Sequence, residues 1–223
     1  MATLWHHYQE GGWAMWIILF WMVCALVVTT EKVVYLFSAS QDVPTFSAAI
    51  NKLVLSGDWE KAIRRALSAR SPLGRIVASG LRHVHEGRGA FQKGLDEQAL
   101  LELPLLNKRI GYLPLFSNLA MLCGLLGTIV GLIKAFSSVA GESVDPAQKA
   151  RILAEGISEA MNCTAFGLVA AVVSLTGFAL TNNWAGAIED DIHRETVQLL
   201  NSALERFTLQ NAAGRRRRGG HRI

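Results

Sequence analysis

Three long stretches of the chain contain no charged residue, and they limit the possible folds more than any other feature. They are residues 11–30, 110–133 and 160–188, with lengths of 20, 24 and 29 residues. A helix needs about 20 apolar residues to cross the hydrocarbon core of a bilayer. The whole chain is 18% charged, whereas a soluble domain has about a quarter charged residues. The sequence therefore predicts three transmembrane helices.

The first uncharged stretch is predicted to be a membrane anchor and not a cleaved signal peptide. Residues 1–12 contain no Lys or Arg, and the apolar stretch is longer than that of a typical signal peptide. Trp13, Trp16 and Trp21 are typical of aromatic anchors near a membrane interface.

Basic residues are distributed unevenly, and this predicts the orientation of the chain. Residues 136–157 contain two Lys or Arg, residues 38–109 contain eleven, and the tail after Trp184 contains seven. Cytoplasmic segments carry the excess of Lys and Arg. We therefore expect the N-terminus outside the cytoplasm and the C-terminus inside it.

The predicted fold class is an all-α integral membrane protein with a helical cytoplasmic domain, in which the second and third long helices extend into the cytoplasm. The segments follow in chain order. They are a periplasmic N-terminus (1–12), transmembrane helix 1 (13–36), the cytoplasmic helical domain (37–109), transmembrane helix 2 (110–135), a periplasmic connection with the start of helix 3 (136–157), transmembrane helix 3 (158–183), and a cytoplasmic helix with a basic tail (184–223).

Residues 42–108 are predicted to form soluble helices. Asp58 precedes an amphipathic stretch and is expected to cap it. Ser71 and Pro72 supply a cap and a first-turn proline for the next helix. No alternating strand pattern is present in the sequence.

Two further helices are predicted to run into the membrane spans. One begins after Gly89 and continues towards the second span, with Pro104 and Pro114 as expected irregularities. The other begins near Pro146, has no strong helix breaker before Gly214 and is expected to end in Arg215–Arg218. Beyond the membrane its apolar stripe is Ile188, Ile192, Leu199, Ala203 and Phe207.

Small residues recur at steps of three and four in the second and third spans. In lipid, this spacing allows helix backbones to approach closely. We assign helix packing to Gly124, Gly127, Gly131, Gly156, Ala160, Gly167 and Ala171.

Three polar residues in these spans are candidates for an ion pathway. Thr128 and Thr164 each lie 18 residues from the cytoplasmic end of their span, and Glu159 lies slightly further out. An ionisable group in a membrane usually faces a protein interior or a water-filled cavity. Two other interpretations stay open: each threonine bonds its own backbone, and Glu159 extends to water at the interface. The chain offers no obvious counter-charge, which suggests that a partner supplies one.

The sequence resembles the MotA/TolQ/ExbB proton channel family, nearest to TolQ and ExbB. GLLGTIVGL (124–132) is similar to the second-span signature of the family, and AEGISEAMNCTAFGLVAAV (154–172) is similar to its third. Three further segments match in order. They are Glu31-Lys32, GDWEKAI (57–63) and SPLGRIVASGL (71–81).

The resemblance implies a ring of three-span subunits, usually a pentamer, in the bacterial inner membrane. The ring would enclose an ExbD/TolR-like single-span partner whose membrane aspartate carries protons. Protons would be the transported ion, and no cofactor is expected. Glu159 and Thr164 match the acidic and threonine positions of the third-span motif. The process energised would be Tol-Pal, TonB-type transport or gliding motility.

The chain also departs from the family pattern. Met121 and Val173 stand where the family has prolines, and Lys134 stands where it usually has a neutral residue or histidine. These differences affect local helix geometry and the choice of subfamily.

The remaining signals are weaker. His83 and His85 lie two residues apart and so do not share a helix face, which argues against a metal site. We interpret Arg215, Arg216, Arg217 and Arg218 as an anchor to anionic lipid rather than a nucleic-acid site. We interpret Cys24, Cys123 and Cys163 as buried small hydrophobes.

The sequence shows no nucleophile–base pair and no phosphate-binding loop, so it does not suggest an enzyme. The alternative function is a non-conducting membrane scaffold that holds partner subunits together.

Overall fold

The computed structural model describes residues 12–40, 43–69, 71–140 and 145–219, with side chains described only as far as Arg206. Seven α-helices and one short 3-10 helix (Val84–Glu86) lie within these ranges, and no strand does. The helices are α1 (Gly12–Ser40), α2 (Val43–Ser56), α3 (Trp59–Ser68), α4 (Pro72–Arg82), α5 (Arg88–Asn107), α6 (Tyr112–Val139) and α7 (Pro146–Gly219). The predicted all-α fold class is confirmed.

Helices α1, α6 and α7 are each long and apolar enough to cross a membrane. They leave large apolar side chains exposed, among them Trp16, Phe20, Ile133, Met161 and Val172. Exposed apolar surface of this extent marks a surface that contacts lipid or another protein. The prediction of three spans is confirmed.

The chain divides into two compact units. The membrane unit contains the described part of residues 1–32 together with 109–182. The extramembrane unit contains residues 33–108 together with the part of the chain after 182.

The core of the extramembrane unit includes the second half of α7. The expected stripe is buried at Ile188, Ile192, Leu199 and Ala203, while the side chain of Phe207 lies outside the described residues. Hydrogen bonds join α7 to its neighbours, from Ser47 Oγ to Glu195 and from Asn107 Nδ2 to Glu189 Oε2 at 3.2 Å. The sequence predicted this stripe on a continuous helix, but it did not reveal what the stripe packs against.

Helix starts in the extramembrane unit are only partly as predicted. The Ser71 Oγ accepts a hydrogen bond from the Gly74 backbone N at 3.3 Å, and α4 begins at Pro72, as expected. Asp58 precedes α3, but its side chain makes no capping hydrogen bond. Its carboxylate accepts a hydrogen bond from Lys61 Nζ at 2.9 Å instead. Asp58 is thus the N-cap residue of α3 by position, as predicted, without the side-chain bond of a cap.

The break before the second span lies at residues 108–111 and not at either proline. Pro104 lies inside α5, and Pro114 lies in the first turn of α6, where a proline costs little. Arg109 has a φ of 70°, which is unfavourable for a residue with a Cβ. Its Nη1 donates to both carboxylate oxygens of Glu31 at 2.8 and 3.1 Å, and these charge-assisted bonds help to hold the turn.

Helix α7 begins at Pro146 as predicted and is 74 residues long. The sequence predicted an end within Arg215–Arg218, and the helix ends at Gly219. At about 1.5 Å per residue, a helix of this length extends roughly 110 Å.

A buried ion pair joins α4 to α5. The Arg75 Nε and Nη2 donate to the two carboxylate oxygens of Glu102, each at 2.7 Å. Gln98 Nε2 adds a bond at 3.0 Å. The Glu102 side chain is only 8% exposed. The hydrogen bonds to Glu102 raise the pKa of Arg75, although burial opposes this shift.

We expect Glu102→Gln to destabilise the extramembrane unit by about 1–3 kcal/mol, since it leaves Arg75 without a charged acceptor. The change should lower the melting temperature of the detergent-solubilised chain by several degrees, measured by circular dichroism. The matched control is Glu97→Gln, whose exposed pair with Lys93 at 3.6 Å contributes little. Equal melting temperatures for both variants would contradict the importance of the buried pair.

Candidate ion pathway

Glycines bring the backbones of α6 and α7 into close contact. A Cβ added at Gly124 would lie 3.0 Å from the Cys163 carbonyl oxygen and 3.2 Å from the Gly167 Cα. A Cβ added at Gly167 would lie 3.0 Å from the Ala120 carbonyl oxygen. The neighbouring atoms are backbone atoms that cannot rotate away, so these positions require glycine.

The other predicted packing residues lie along the same line of contact. Gly131 faces Ala160, with a distance of 3.5 Å from an added Cβ to the Ala160 Cβ, and Gly156 faces Ala135. The Gly127 position faces Cys163, and the carbonyl of Ala171 accepts a hydrogen bond from Ser117 Oγ at 3.1 Å. We call this line of contacts the glycine seam. It joins the two helices within a single subunit.

Helix α1 covers one side of the α6–α7 pair. Ile18 packs with Ala120 and Ala170, and Trp21 stacks on Phe116 with ring centroids 5.6 Å apart. Cys163 is buried with Ala14 and Met15. Of the three cysteines predicted to be buried, Cys163 is buried, whereas Cys24 and Cys123 are only half-buried.

The two candidate threonines line one groove on the other side of this pair. Thr128 from α6 and Thr164 from α7 face a space of about 430 Å³. The remaining lining residues are Leu132, Ile157, Ala160, Met161, Ala165 and Leu168, none of which belongs to α1. The equal depth of the two threonines in the sequence agrees with this shared position. We call this space the threonine groove.

The two hydroxyl groups differ in their hydrogen bonds. Thr128 Oγ1 donates to the Leu125 carbonyl oxygen at 2.6 Å. This is a bond to the backbone of its own helix, one of the two interpretations that the sequence allowed. The Thr164 hydroxyl makes no hydrogen bond to any described residue. A hydroxyl in apolar surroundings is costly without a partner. Thr164 is therefore available to bond a group that enters the groove.

Glu159 lies in a different cavity, of about 410 Å³, that Lys134, Ser138 and Glu155 also line. A Cβ added at Gly12 would lie 2.5 Å from the Glu159 Oε1, so this carboxylate points to the side of the pair that α1 covers. We call this space the outer cavity.

The three candidate residues of the ion pathway therefore do not face one common space within a subunit: the threonines face the groove, and Glu159 faces the outer cavity. Glu159 and Thr164 are five residues apart, which places them about 140° apart around a helix. The Lys134 side chain lines the same cavity as Glu159, but these two described residues form no ion pair with each other.

Of the weaker candidates, only the two histidines have described side chains. The His83 Nδ1 lies 3.0 Å from the Ser79 carbonyl oxygen, one turn earlier in the same helix. Among the residues that the structure describes, no cluster of three His, Cys, Asp or Glu side chains could hold a metal ion. The side chains of Arg215, Arg216, Arg217 and Arg218 lie outside the described residues.

We expect Gly167→Leu to separate α6 from α7, because the new side chain would meet backbone atoms at 3.0–3.1 Å. The variant should show a low yield of monodisperse protein in size-exclusion chromatography. Gly186→Leu is the matched control, since it lies in the same helix with nothing within 4 Å of an added Cβ. Normal yield and melting temperature for Gly167→Leu would contradict the close backbone contact.

The comparisons with known proteins agree with this geometry. The family model for the MotA/TolQ/ExbB proton channel family matches residues 68–194, which include the glycine seam, both threonines and Glu159. This match covers more than half of the chain.

Three relatives are similar to this chain over different lengths. A putative biopolymer transport protein ExbB homolog of Methanothermobacter thermautotrophicus is 24% identical over 194 residues, covering 86% of this chain and 67% of the relative. The biopolymer transport protein exbB1 of Vibrio cholerae is 33% identical over 174 residues, covering 66% and 72%. The Tol-Pal system protein TolQ of Haemophilus influenzae is 31% identical over 90 residues, covering 40% and 38%.

Three membrane-spanning helices and the family match lead to one assignment. The chain is a multi-pass membrane protein of a channel type and not an enzyme. It belongs to the MotA/TolQ/ExbB proton channel family.

Proposed function

We propose that this chain is the ring-forming subunit of a motor in the bacterial inner membrane that is driven by the proton-motive force. The ring is a homopentamer, and it conducts protons together with an ExbD/TolR-like single-span partner that carries a membrane aspartate. The observation that carries this proposal is the Thr164 hydroxyl, which lies beside Thr128 in an otherwise apolar groove and has no partner among the described residues.

The threonine groove suits an apolar helix that carries one titratable group. Its walls are mainly aliphatic, so they favour an apolar helix through van der Waals contact. A hydroxyl both donates and accepts a hydrogen bond. Thr164 can therefore bond an aspartate in its charged form as a donor and in its neutral form as an acceptor.

Proton uptake and release would then change the position of the partner helix. A charged aspartate needs a hydrogen-bond donor in the membrane, whereas the neutral carboxyl tolerates apolar surroundings better. In a ring, each subunit offers an equivalent groove. Successive protonation and deprotonation would move the partner from one groove to the next, which couples proton flow to rotation.

Glu159 has a different role in this proposal. Its carboxylate lies in the outer cavity and not in the groove, so it acts on protons before they reach the threonines. An ionised carboxylate can accept a proton from water and, once protonated, donate it again. We assign Glu159 to proton entry, and Thr128 and Thr164 to transfer at the partner.

The work is delivered to the periplasm or the outer membrane. The names of the relatives support biopolymer transport or the Tol-Pal system, and TonB-type transport and gliding motility are the candidates that the family resemblance adds. Chain orientation follows the basic residues, with a periplasmic N-terminus and with Arg215–Arg218 holding the cytoplasmic tail at anionic lipid.

A non-conducting scaffold is the second candidate function. The glycine seam favours it, because close packing of α6 on α7 would stabilise the subunit whether or not ions pass. The scaffold requires nothing from the Thr164 hydroxyl, so a change at this position separates the two functions.

We expect Thr164→Val to abolish proton uptake in proteoliposomes that contain the ring and its partner, because valine keeps the shape of threonine and removes the hydroxyl. The assembled complex should form normally in native mass spectrometry. Thr176→Val is the matched control, since the Thr176 hydroxyl bonds the Val172 carbonyl oxygen at 2.8 Å in the same helix. This control should retain proton uptake.

Two further substitutions test the other two residues of the proposed pathway in the same assay. Thr128→Ser keeps a hydroxyl and should have a mild effect, while Glu159→Gln should reduce uptake strongly. Full proton uptake by an assembled Thr164→Val complex would favour the scaffold.

The orientation has its own test. We expect a cysteine placed at Thr3, which lies outside the described residues, to react with an impermeant thiol reagent only from the periplasmic side. A cysteine at the exposed Glu86 should react only from the cytoplasmic side. Labelling is measured in a chain without Cys24, Cys123 and Cys163, and the reverse pattern would overturn the topology.

A further inference from the structure

The outer cavity contains two opposite charges that do not pair with each other. Lys134 lines it from α6, and Glu159 lines it from α7. Among the residues that the structure describes, neither the Lys134 ammonium nor the Glu159 carboxylate forms an ion pair or a side-chain hydrogen bond. Each of these two groups can therefore bind a group of opposite charge from outside the chain.

The other carboxylate of the cavity is already paired. Glu155 lines the cavity from α7 and accepts a hydrogen bond from Arg151 Nε at 2.9 Å. One positive and one negative group are thus left, and their charges sum to zero. A ligand that has two separated charges and no net charge matches this arrangement. A purely anionic or purely cationic ligand would pair with one side chain and be repelled by the other.

The two unpaired charges lie at the same membrane boundary. Lys134 directly follows the uncharged stretch of the second span, and Glu159 directly precedes that of the third. The polar head groups of a bilayer flank its hydrocarbon core at this depth. The exposed Trp13 follows Gly12, which lies beside the Glu159 carboxylate, and tryptophan favours the membrane interface. The cavity therefore lies at the depth of phospholipid head groups.

We propose that the outer cavity binds the head group of a zwitterionic phospholipid, with phosphatidylethanolamine as the best match. The lipid phosphate pairs with the Lys134 ammonium, and the lipid ammonium donates hydrogen bonds to the Glu159 carboxylate. A volume of about 410 Å³ is in the size range of small-ligand sites. Exchange of the lipid leaves Glu159 able to accept protons. The inference goes beyond the proposed function and does not require that the ring conducts protons.

Head-group chemistry sets the expected order of affinity. Phosphatidylethanolamine has a phosphate and a primary ammonium with three N–H donors, as a lysine side chain has. Phosphatidylcholine keeps both charges, but its trimethylammonium group has no N–H to donate. Phosphatidylglycerol has the phosphate without a cation, so it leaves the Glu159 carboxylate without a partner and is repelled by it. We expect the affinity of the cavity to fall in this order.

The test measures lipid binding to the detergent-solubilised complex by native mass spectrometry, with each of the three lipids added at the same concentration. We expect Lys134→Gln and Glu159→Gln each to weaken binding of phosphatidylethanolamine about tenfold or more, because each removes one charge-assisted hydrogen bond. Lys134→Arg keeps the charge and should retain binding. Lys149→Gln is the matched control, since it removes a positive charge near the start of α7 but does not line the cavity.

A second measurement distinguishes a lipid from a soluble ligand of the same chemistry. Free phosphoethanolamine has the same two charges without acyl chains. We expect phosphatidylethanolamine to raise the melting temperature of the complex, and the same concentration of free phosphoethanolamine to leave it unchanged, because acyl chains hold the head group at the membrane boundary. A rise with free phosphoethanolamine that Lys134→Gln abolishes would overturn the lipid in favour of a soluble zwitterion.

The outcomes separate this inference from the proposed function. Equal binding of phosphatidylethanolamine by the native chain, Lys134→Gln and Glu159→Gln would overturn the inference, and so would stronger binding of phosphatidylglycerol. An equal loss in Lys149→Gln would overturn it too, because net charge and not the cavity would then hold the lipid. Neither measurement depends on proton uptake, so a complex that binds the lipid but moves no protons would contradict only the proposed function.

Discussion

The close approach of α6 to α7 at Gly124 and Gly167 determines where every other functional side chain points. An added Cβ at either position would meet backbone atoms within about 3.0–3.2 Å, so the helices cannot rotate against each other without a clash. With the glycines fixed inwards, the 3.6-residue repeat sets the direction of the remaining residues. The threonines therefore face the groove on one side, and Glu159 faces the outer cavity near the start of α1.

Hydrogen bonding distinguishes the Thr164 hydroxyl from most of the other hydroxyls in the membrane unit. Most of the hydroxyls in the spans bond to a carbonyl of the preceding turn, as Thr29, Thr176 and Thr181 do at 2.7–2.8 Å. Such bonds satisfy a polar side chain where lipid offers no partner. Thr164 makes no bond of this kind among the described residues, although its helix offers the same carbonyl groups. The cost of an unsatisfied hydroxyl is consistent with a site that a partner completes.

The sequence predicted what depends on local pattern and missed what depends on packing. Uncharged length predicted the three spans, and Ser71, Pro72 and Pro146 marked helix starts correctly, because these signals act within one turn. The direction of Glu159 was not predictable, since it depends on which face of α7 the glycine seam buries. The pairing of Glu31 with Arg109 and the burial of α7 residues against α2 and α5 were likewise hidden, because the partners lie 78 or more residues apart in the chain.

The small residues of α6 and α7 contact each other within one subunit, so they are not available for contacts between subunits. In lipid, helices associate through van der Waals contact and not through the hydrophobic effect. The glycine seam is occupied by α6 and α7 of the same chain, so contacts between subunits of the proposed ring would use other faces. The spans also have exposed aliphatic and aromatic side chains, such as Phe20, Ile133 and Val172, which are available for contact with lipid or another subunit. Substitutions in the seam therefore report on the folding of a subunit, whereas substitutions at Thr164 report on what passes along the groove.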